Sequence, residues 1–194
     1  MIGIIDYGMG NVGSIYNMLK KIGHKSKICQ KSAELNNCNK MILPGVGAFD
    51  NAMKNLQSLG FLDVIKQKIS FGDYFLGVCL GMQLLGTSSE EGKLKGLNLI
   101  PGKILRFPNN KFLKVPHMGW NTVEYKSSLL DDINSYNRYY FVHSYYFLPE
   151  DPLHSIGETN YIINFTSFVR KENIMGVQFH PEKSHKYGMQ FLKK

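Results

Sequence analysis

At 194 residues, 43% hydrophobic and 20% charged, the chain has the size of one domain, 1–194, and enough apolar content to build a core without metal or disulfide staples. Its formal charge of +8 comes mostly from scattered lysines, with arginine only at Arg106, Arg138 and Arg170. No recognition motif accompanies them, which excludes nucleic acid as the expected partner and leaves a solvated basic surface. No apolar run approaches ~18 residues and no basic leader precedes the apolar start, so neither a membrane span nor a secretory signal is expected and a soluble cytoplasmic protein is. The cysteines Cys29, Cys38 and Cys79 are odd in number and lack CxxC spacing, which predicts no disulfide framework and no metal site, and leaves thiol chemistry as the role for any cysteine that acts.

Residues 2–5 read as a buried strand, followed by a helix that Asn11 can cap and whose apolar face is Val12, Ile15, Met18, Leu19 and Ile22. Residues 40–43 form a second buried strand, ended by Pro44, and 49–59 and 61–69 have helical spacing. A third strand, 74–78, runs into a helix-like 80–85. Strands alternating with helices predict a parallel sheet covered on both faces. In the second half 104–107, 112–115, 139–142, 161–168 and 174–179 read as strands joined by short polar turns, antiparallel at the sheet edge, with a closing helix over 185–193. The expected fold is three-layer α/β with a mixed, mostly parallel sheet flanked by helices, flavodoxin-like, and no domain boundary interrupts it.

The chemistry concentrates where strands end. GVCLG, Gly77 to Gly81, sits at a strand-to-helix junction, where a nucleophile on a sharp, strained turn needs small neighbours. The following helix aims its N-terminus at Cys79, which favours thiolate and offers N–H groups to an oxyanion. QFHPE, Gln178 to Glu182, supplies a base and an orienting carboxylate: if the chain stays extended through Pro181, His180 and Glu182 project on one side. His143 is the second choice of base, and His24, His117, His154 and His185 are read as surface or satisfied histidines. In PGVGAF, Pro44 to Phe49, two glycines around Val46 let backbone N–H groups face a developing oxyanion, with Leu80 N–H as the second donor.

With GVCLGMQLL, PGVGAF and QFHPEKS in place, the chain resembles class I glutamine amidotransferases. Within that family it is most similar to the glutaminase subunits of imidazole glycerol phosphate synthase, through IDYGMGN from Asp6, SEEG from Ser89, VPHMGWN from Val115 and FVHSYY from Phe141. The resemblance implies a triad of Cys79, His180 and Glu182. It also implies an oxyanion hole from Gly45, Val46 and Gly47 with Leu80, and glutamine held by Gln83, Glu91, Ser144 and Tyr145. Assigning Glu91 over Glu90 rests on loop spacing. No metal or organic cofactor is implied. The implied partner is a (β/α)8-barrel cyclase in a heterodimer, using the ammonia to make imidazole glycerol phosphate, and contacting Asn11, Pro116, His117, Met118, Trp120 and Lys183, with Met118 and Trp120 as large apolar anchors in a loop that also holds Pro116 and Gly119. Two departures, Gly13 where a basic residue is common and HKYG after Ser184, lie near these contacts. They open a second destination for the ammonia, a sugar amidotransferase of surface polysaccharide biosynthesis.

Overall fold

The computed structural model describes residues 1–126 and 137–194. Five strands, β1 (Ile2–Ile5), β2 (Ser26–Cys29), β3 (Lys40–Gly45), β4 (Tyr74–Cys79) and β13 (Ile174–Val177), run parallel in the order β2-β1-β3-β4-β13. The sheet continues antiparallel through β12 (Asn164–Lys171), β10 (Tyr145–Pro149) and β6 (Gly102–Arg106), with β5 (Ser88–Ser89) beyond. From β12 a branch leads to β11 (Ser155–Asn160) and β8 (Glu124–Tyr125). A separate ribbon pairs β7 (His117–Thr122) with β9 (Arg138–His143). The mixed, mostly parallel sheet is the one expected.

Period-two alternation divides the core between the two faces of that sheet. Ile5, Met41, Leu43 and Phe75 pack on one side with α2 (Phe49–Ser58) and α3 (Phe61–Ser70). Ile4, Ile42, Leu76 and Val78 pack on the other with α1 (Val12–Lys21) and α5 (His185–Lys193). Asn11 caps α1 as its sequence position suggests, its side-chain oxygen accepting the Ser14 N–H at 3.3 Å.

Several elements differ from the sequence reading. β2, β8, β10 and β11 carry no clear apolar alternation and were not anticipated. β3 does not stop at Pro44 but runs to Gly45, because pairing with β1 ends at Ile42 while pairing with β4 continues to Gly45 and Cys79. The missing N–H of Pro44 therefore costs no ladder bond on the β1 side. The helix after Cys79, α4, is only Leu80–Gln83. Residues 112–115 form no strand, and the expected strand 161–168 is a turn at 161–163 leading into β12. Met118 and Trp120, expected in a loop, lie in β7.

Candidate active site

Parallel pairing of β4 with β13, in register from Ile174 with Phe75 to Val177 with Val78, makes the two chain segments leave the sheet side by side. Cys79 leaves β4 and Gln178 to Glu182 leave β13, so residues about a hundred positions apart in sequence meet at the C-terminal edge of the parallel strands, where open α/β sheets build sites. An antiparallel bridge between Tyr140 and His180 ties the second segment to β9.

Cys79 sits at φ 55° and ψ −110°, a conformation that L side chains rarely adopt and that places its thiol at a sharp strand-to-helix turn. The turn closes only because its flanks are bare: a Cβ on Gly81 would overlap the Leu43 carbonyl oxygen, and one on Gly77 would overlap the Gly81 carbonyl oxygen. Cys79 is 7% exposed, and its Sγ lies 3.7 Å from Gln178 Nε2. Cys29 and Cys38 are free and buried away from this turn.

His180, 1% exposed, pairs through Nδ1 with Glu182 Oε1 at 2.8 Å. The pair forms differently from the expected extended segment: Pro181–Lys183 is a 3-10 turn, which brings Glu182 back to the ring of the residue that precedes it. Nε2 is buried with no hydrogen-bond partner among the described residues and is electrostatically coupled to Cys79. Burial pushes the imidazole pKa down, but the Cys79 charge and the Glu182 carboxylate outweigh it and raise the pKa to about 10. The arrangement therefore suits a thiolate and imidazolium held together, with an oriented carboxylate behind the ring.

Gly45 is the last residue of β3 and pairs in register with Cys79, so the Gly45, Val46 and Gly47 segment begins beside the thiol and beside Leu80. Val46 is exposed and Gly47 takes φ +123°, open to glycine at no Cβ cost. Gln83 is buried, with Nε2 donating to the Tyr145 carbonyl at 3.0 Å and to Gln178 Oε1 at 3.1 Å. The Ser144 carbonyl is occupied by Phe107 N–H at 3.0 Å. Of the two adjacent glutamates, Glu91 turns toward the glycine segment and caps α2 by accepting Phe49 N–H at 3.0 Å, while Glu90 is held at β6 by Arg106 N–H. Burial raises the Glu91 pKa against the lowering effect of that N–H.

The second-choice base is spoken for. His143 Nδ1 lies 2.8 Å from the Tyr145 carbonyl and Nε2 lies 3.0 Å from His117 Nδ1. Burial pushes His143 down to about 3 and His117 to about 4, so both rings stay neutral near neutral pH. His117 is a satisfied histidine, one of the two readings open to it, but at 3% exposure it faces inward and not toward the contact surface expected of it, whereas its neighbours Met118 and Trp120 are 62% and 38% exposed. Asn11, Pro116 and Lys183 are exposed too. Trp120 stacks on His185 and meets Tyr140 edge-on, and Lys183 Nζ lies 5.7 Å from the Tyr140 ring centre. These contacts gather β7, β9 and the turn after His180 into one face.

Two residues of the site carry no sequence signal for a role in it. Gln178 comes to Cys79 only through the pairing of β13 with β4. Tyr7 is fully buried, its hydroxyl has no hydrogen-bond partner among the described residues, and it lies next to Gly45. Burial and the Cys79 charge raise its pKa. No group of three or more metal-ligating side chains occurs among the described residues, nor does a helix long and apolar enough to cross a membrane.

Residues 3–194 match the family model described as glutamine amidotransferase class-I. Imidazole glycerol phosphate synthase subunit HisH 2 of Methanococcus maripaludis is 51% identical over 99% of this chain and 96% of that protein. The subunit of the same name from Pseudomonas aeruginosa is 46% identical over 100% of this chain and 97% of that protein. Subunit HisH of Syntrophotalea carbinolica is 43% identical over 100% and 98%. Among solved structures, a glutamine amidotransferase superposes with a TM-score of 0.76 at 17% identity, covering 98% of this chain and 95% of that one. PurLQS of Thermotoga maritima superposes with a TM-score of 0.77 at 16% identity, covering 99% and 95%. At those identities the structural likenesses speak to the fold alone.

Proposed function

The chain belongs to the class I glutamine amidotransferase family, and on that premise we propose that it is the glutaminase subunit of imidazole glycerol phosphate synthase, acting in histidine biosynthesis in the cytoplasm as one domain over residues 1–194. The observation that carries the chemistry is the strained Cys79 turn beside the His180–Glu182 pair. The Cys79 thiolate attacks the carboxamide carbon of glutamine. Leu80 N–H and the Gly45 to Gly47 backbone hold the resulting oxyanion, and the protonated His180 donates its proton to the departing nitrogen, so that ammonia leaves and a glutamyl thioester remains. His180, now neutral, takes a proton from water, which adds to the thioester; collapse releases glutamate and regenerates the thiolate. Gln83, Glu91, Ser144 and Tyr145 hold the substrate. No cofactor enters these steps.

The relatives are named as subunits, which supports a partner subunit here. That partner is a (β/α)8-barrel cyclase seated on Asn11, Pro116, Met118, Trp120 and Lys183, where exposed large apolar side chains supply anchors. The free chain hydrolyses glutamine slowly and the partner activates it, because a glycine-rich oxyanion segment can rest in a non-productive conformation.

A second destination for the ammonia rests on the departure at Gly13. A Cβ there would meet nothing within 4 Å, so packing does not require glycine at this exposed position of α1. A barrel partner feeding a sugar amidotransferase is that reading. Coupled product formation with each candidate synthase separates the two. In the productive pair, Cys79→Ala abolishes synthesis from glutamine and spares synthesis from ammonium salts; loss of both would overturn the division of labour.

A further inference from the structure

A directed chain of hydrogen bonds crosses the molecule from β7 to the thiol, and its polarity is fixed at both ends by backbone groups. At one end Asn121 Oδ1 accepts Thr122 N–H at 2.8 Å while its Nδ2 donates to the Asn160 carbonyl at 2.9 Å. The same Nδ2 lies 3.3 Å from His117 Nε2, which must therefore accept. At the other end the Tyr145 carbonyl can only accept, so His143 Nδ1, 2.8 Å away, carries the proton. His143 Nε2 then accepts from His117 Nδ1 at 3.0 Å, and the two conclusions agree: both rings are neutral Nδ1–H tautomers.

The Tyr145 carbonyl takes its second hydrogen bond from Gln83 Nε2, whose other hydrogen goes to Gln178 Oε1. With its oxygen engaged there, Gln178 turns Nε2 toward Cys79 Sγ at 3.7 Å. His143 and Tyr145 flank the bend between β9 and β10, so their bond also fixes where that carbonyl stands. A flip of the Gln178 amide would set its carbonyl oxygen against the sulfur and repel the charged form, and a flip of Gln83 would oppose its oxygen to the Tyr145 carbonyl and to Gln178 Oε1, removing the bond that orients Gln178.

We infer that His117 and His143 are positioning residues for the thiol chemistry, a fixed relay from the strand bearing Met118 and Trp120 that sets the Gln178 N–H, not its oxygen, against Cys79. The inference rests on Cys79 being the glutaminase nucleophile.

Two measurements on the full chain test it. Imidazole 15N–1H correlation spectra of the wild type at pH 7 are expected to show His117 and His143 as neutral Nδ1–H tautomers; an Nε2–H or a protonated ring at either position overturns the relay. The variants His143→Leu and His143→Gln are then compared, with folding checked by near-ultraviolet circular dichroism. Leucine lowers kcat for glutamine hydrolysis by about tenfold, the scale of one hydrogen bond to a charged group, with KM within about twofold. It slows iodoacetamide alkylation of Cys79, read by mass spectrometry of that peptide, to the same extent. Glutamine, which can donate to the Tyr145 carbonyl and accept from His117, recovers most of both. A folded His143→Leu chain alkylated at the wild-type rate sinks the proposal. If the wild type hydrolyses no glutamine even with its partner, the glutaminase reading fails, while the tautomers and alkylation rates still judge the relay.

Discussion

Lowering the pH from 7 to 5 is expected to weaken the fold through two buried imidazoles. His117 and His143 are pushed down to about 4 and about 3 by burial, whereas in the unfolded chain each titrates near ~6.5. A depressed folded pKa contributes stability that is present above the unfolded value and is lost as the pH falls toward the folded one, because the unfolded chain takes up the proton first. Between pH 7 and 5 each ring therefore loses about 2 kcal/mol, about 4 kcal/mol for the pair. His180 works in the opposite sense. Raised to about 10, it holds its proton in the fold throughout, and its contribution grows as pH falls through ~6.5, returning about 1 kcal/mol. The net loss of about 3 kcal/mol is a large share of a typical stability of ~5–15 kcal/mol. Urea titrations at pH 7, 6 and 5, followed by circular dichroism and Trp120 fluorescence, measure it directly. The variant His143→Gln, which has no titrating ring, should show a pH slope shallower by about 2 kcal/mol over the same range. A wild-type stability flat within about 1 kcal/mol, or an unchanged slope in the variant, would refute the reasoning.

Three further outcomes are expected. In Cys79→Ala the His180 pKa should drop well below about 10, since the Cys79 charge is first among the influences that raise it; an NMR titration of the His180 ring that finds no fall would detach the thiol from the histidine. Gly81→Ala should destabilise the chain by about 3 kcal/mol or prevent folding, because the clash is with the Leu43 carbonyl and not with a side chain that can move; a loss under about 1 kcal/mol in urea would show that the turn has slack. Trp120→Ala should weaken binding of the barrel partner by about 30-fold, the level of an interface hot spot, with an unchanged far-ultraviolet spectrum; calorimetry showing wild-type affinity would move the interface elsewhere.

Some of this protein was legible without coordinates because the signals are local. Three apolar runs punctuated by helical spacing require a parallel sheet with two covered faces, and a cysteine between glycines at a strand end announces a strained turn. The Asn11 cap and the dipeptide spacing of His180 and Glu182 are equally local, although the pair is made by a turn at Pro181 and not by extended chain. Strands β2, β8 and β11 were invisible because edge and branch strands bury too little of themselves to enforce alternation, and β10, interior between β12 and β6, was invisible because its sequence YYFLP is apolar without alternating. Strand β7 reads as a loop for a related reason: among the described residues it pairs only with β9, and its outward residues Met118 and Trp120 remain exposed. The order of amino acids specifies the set of groups able to do the chemistry. Which of them act together was decided by sheet order, since only the parallel seating of β13 on β4 brings His180 and Gln178 to Cys79. The same holds for His117 and His143, whose adjacency arises from strand register across β7 and β9 and whose burial then sets their charge. Register and burial are properties of the packed whole, and no window of the sequence contains them.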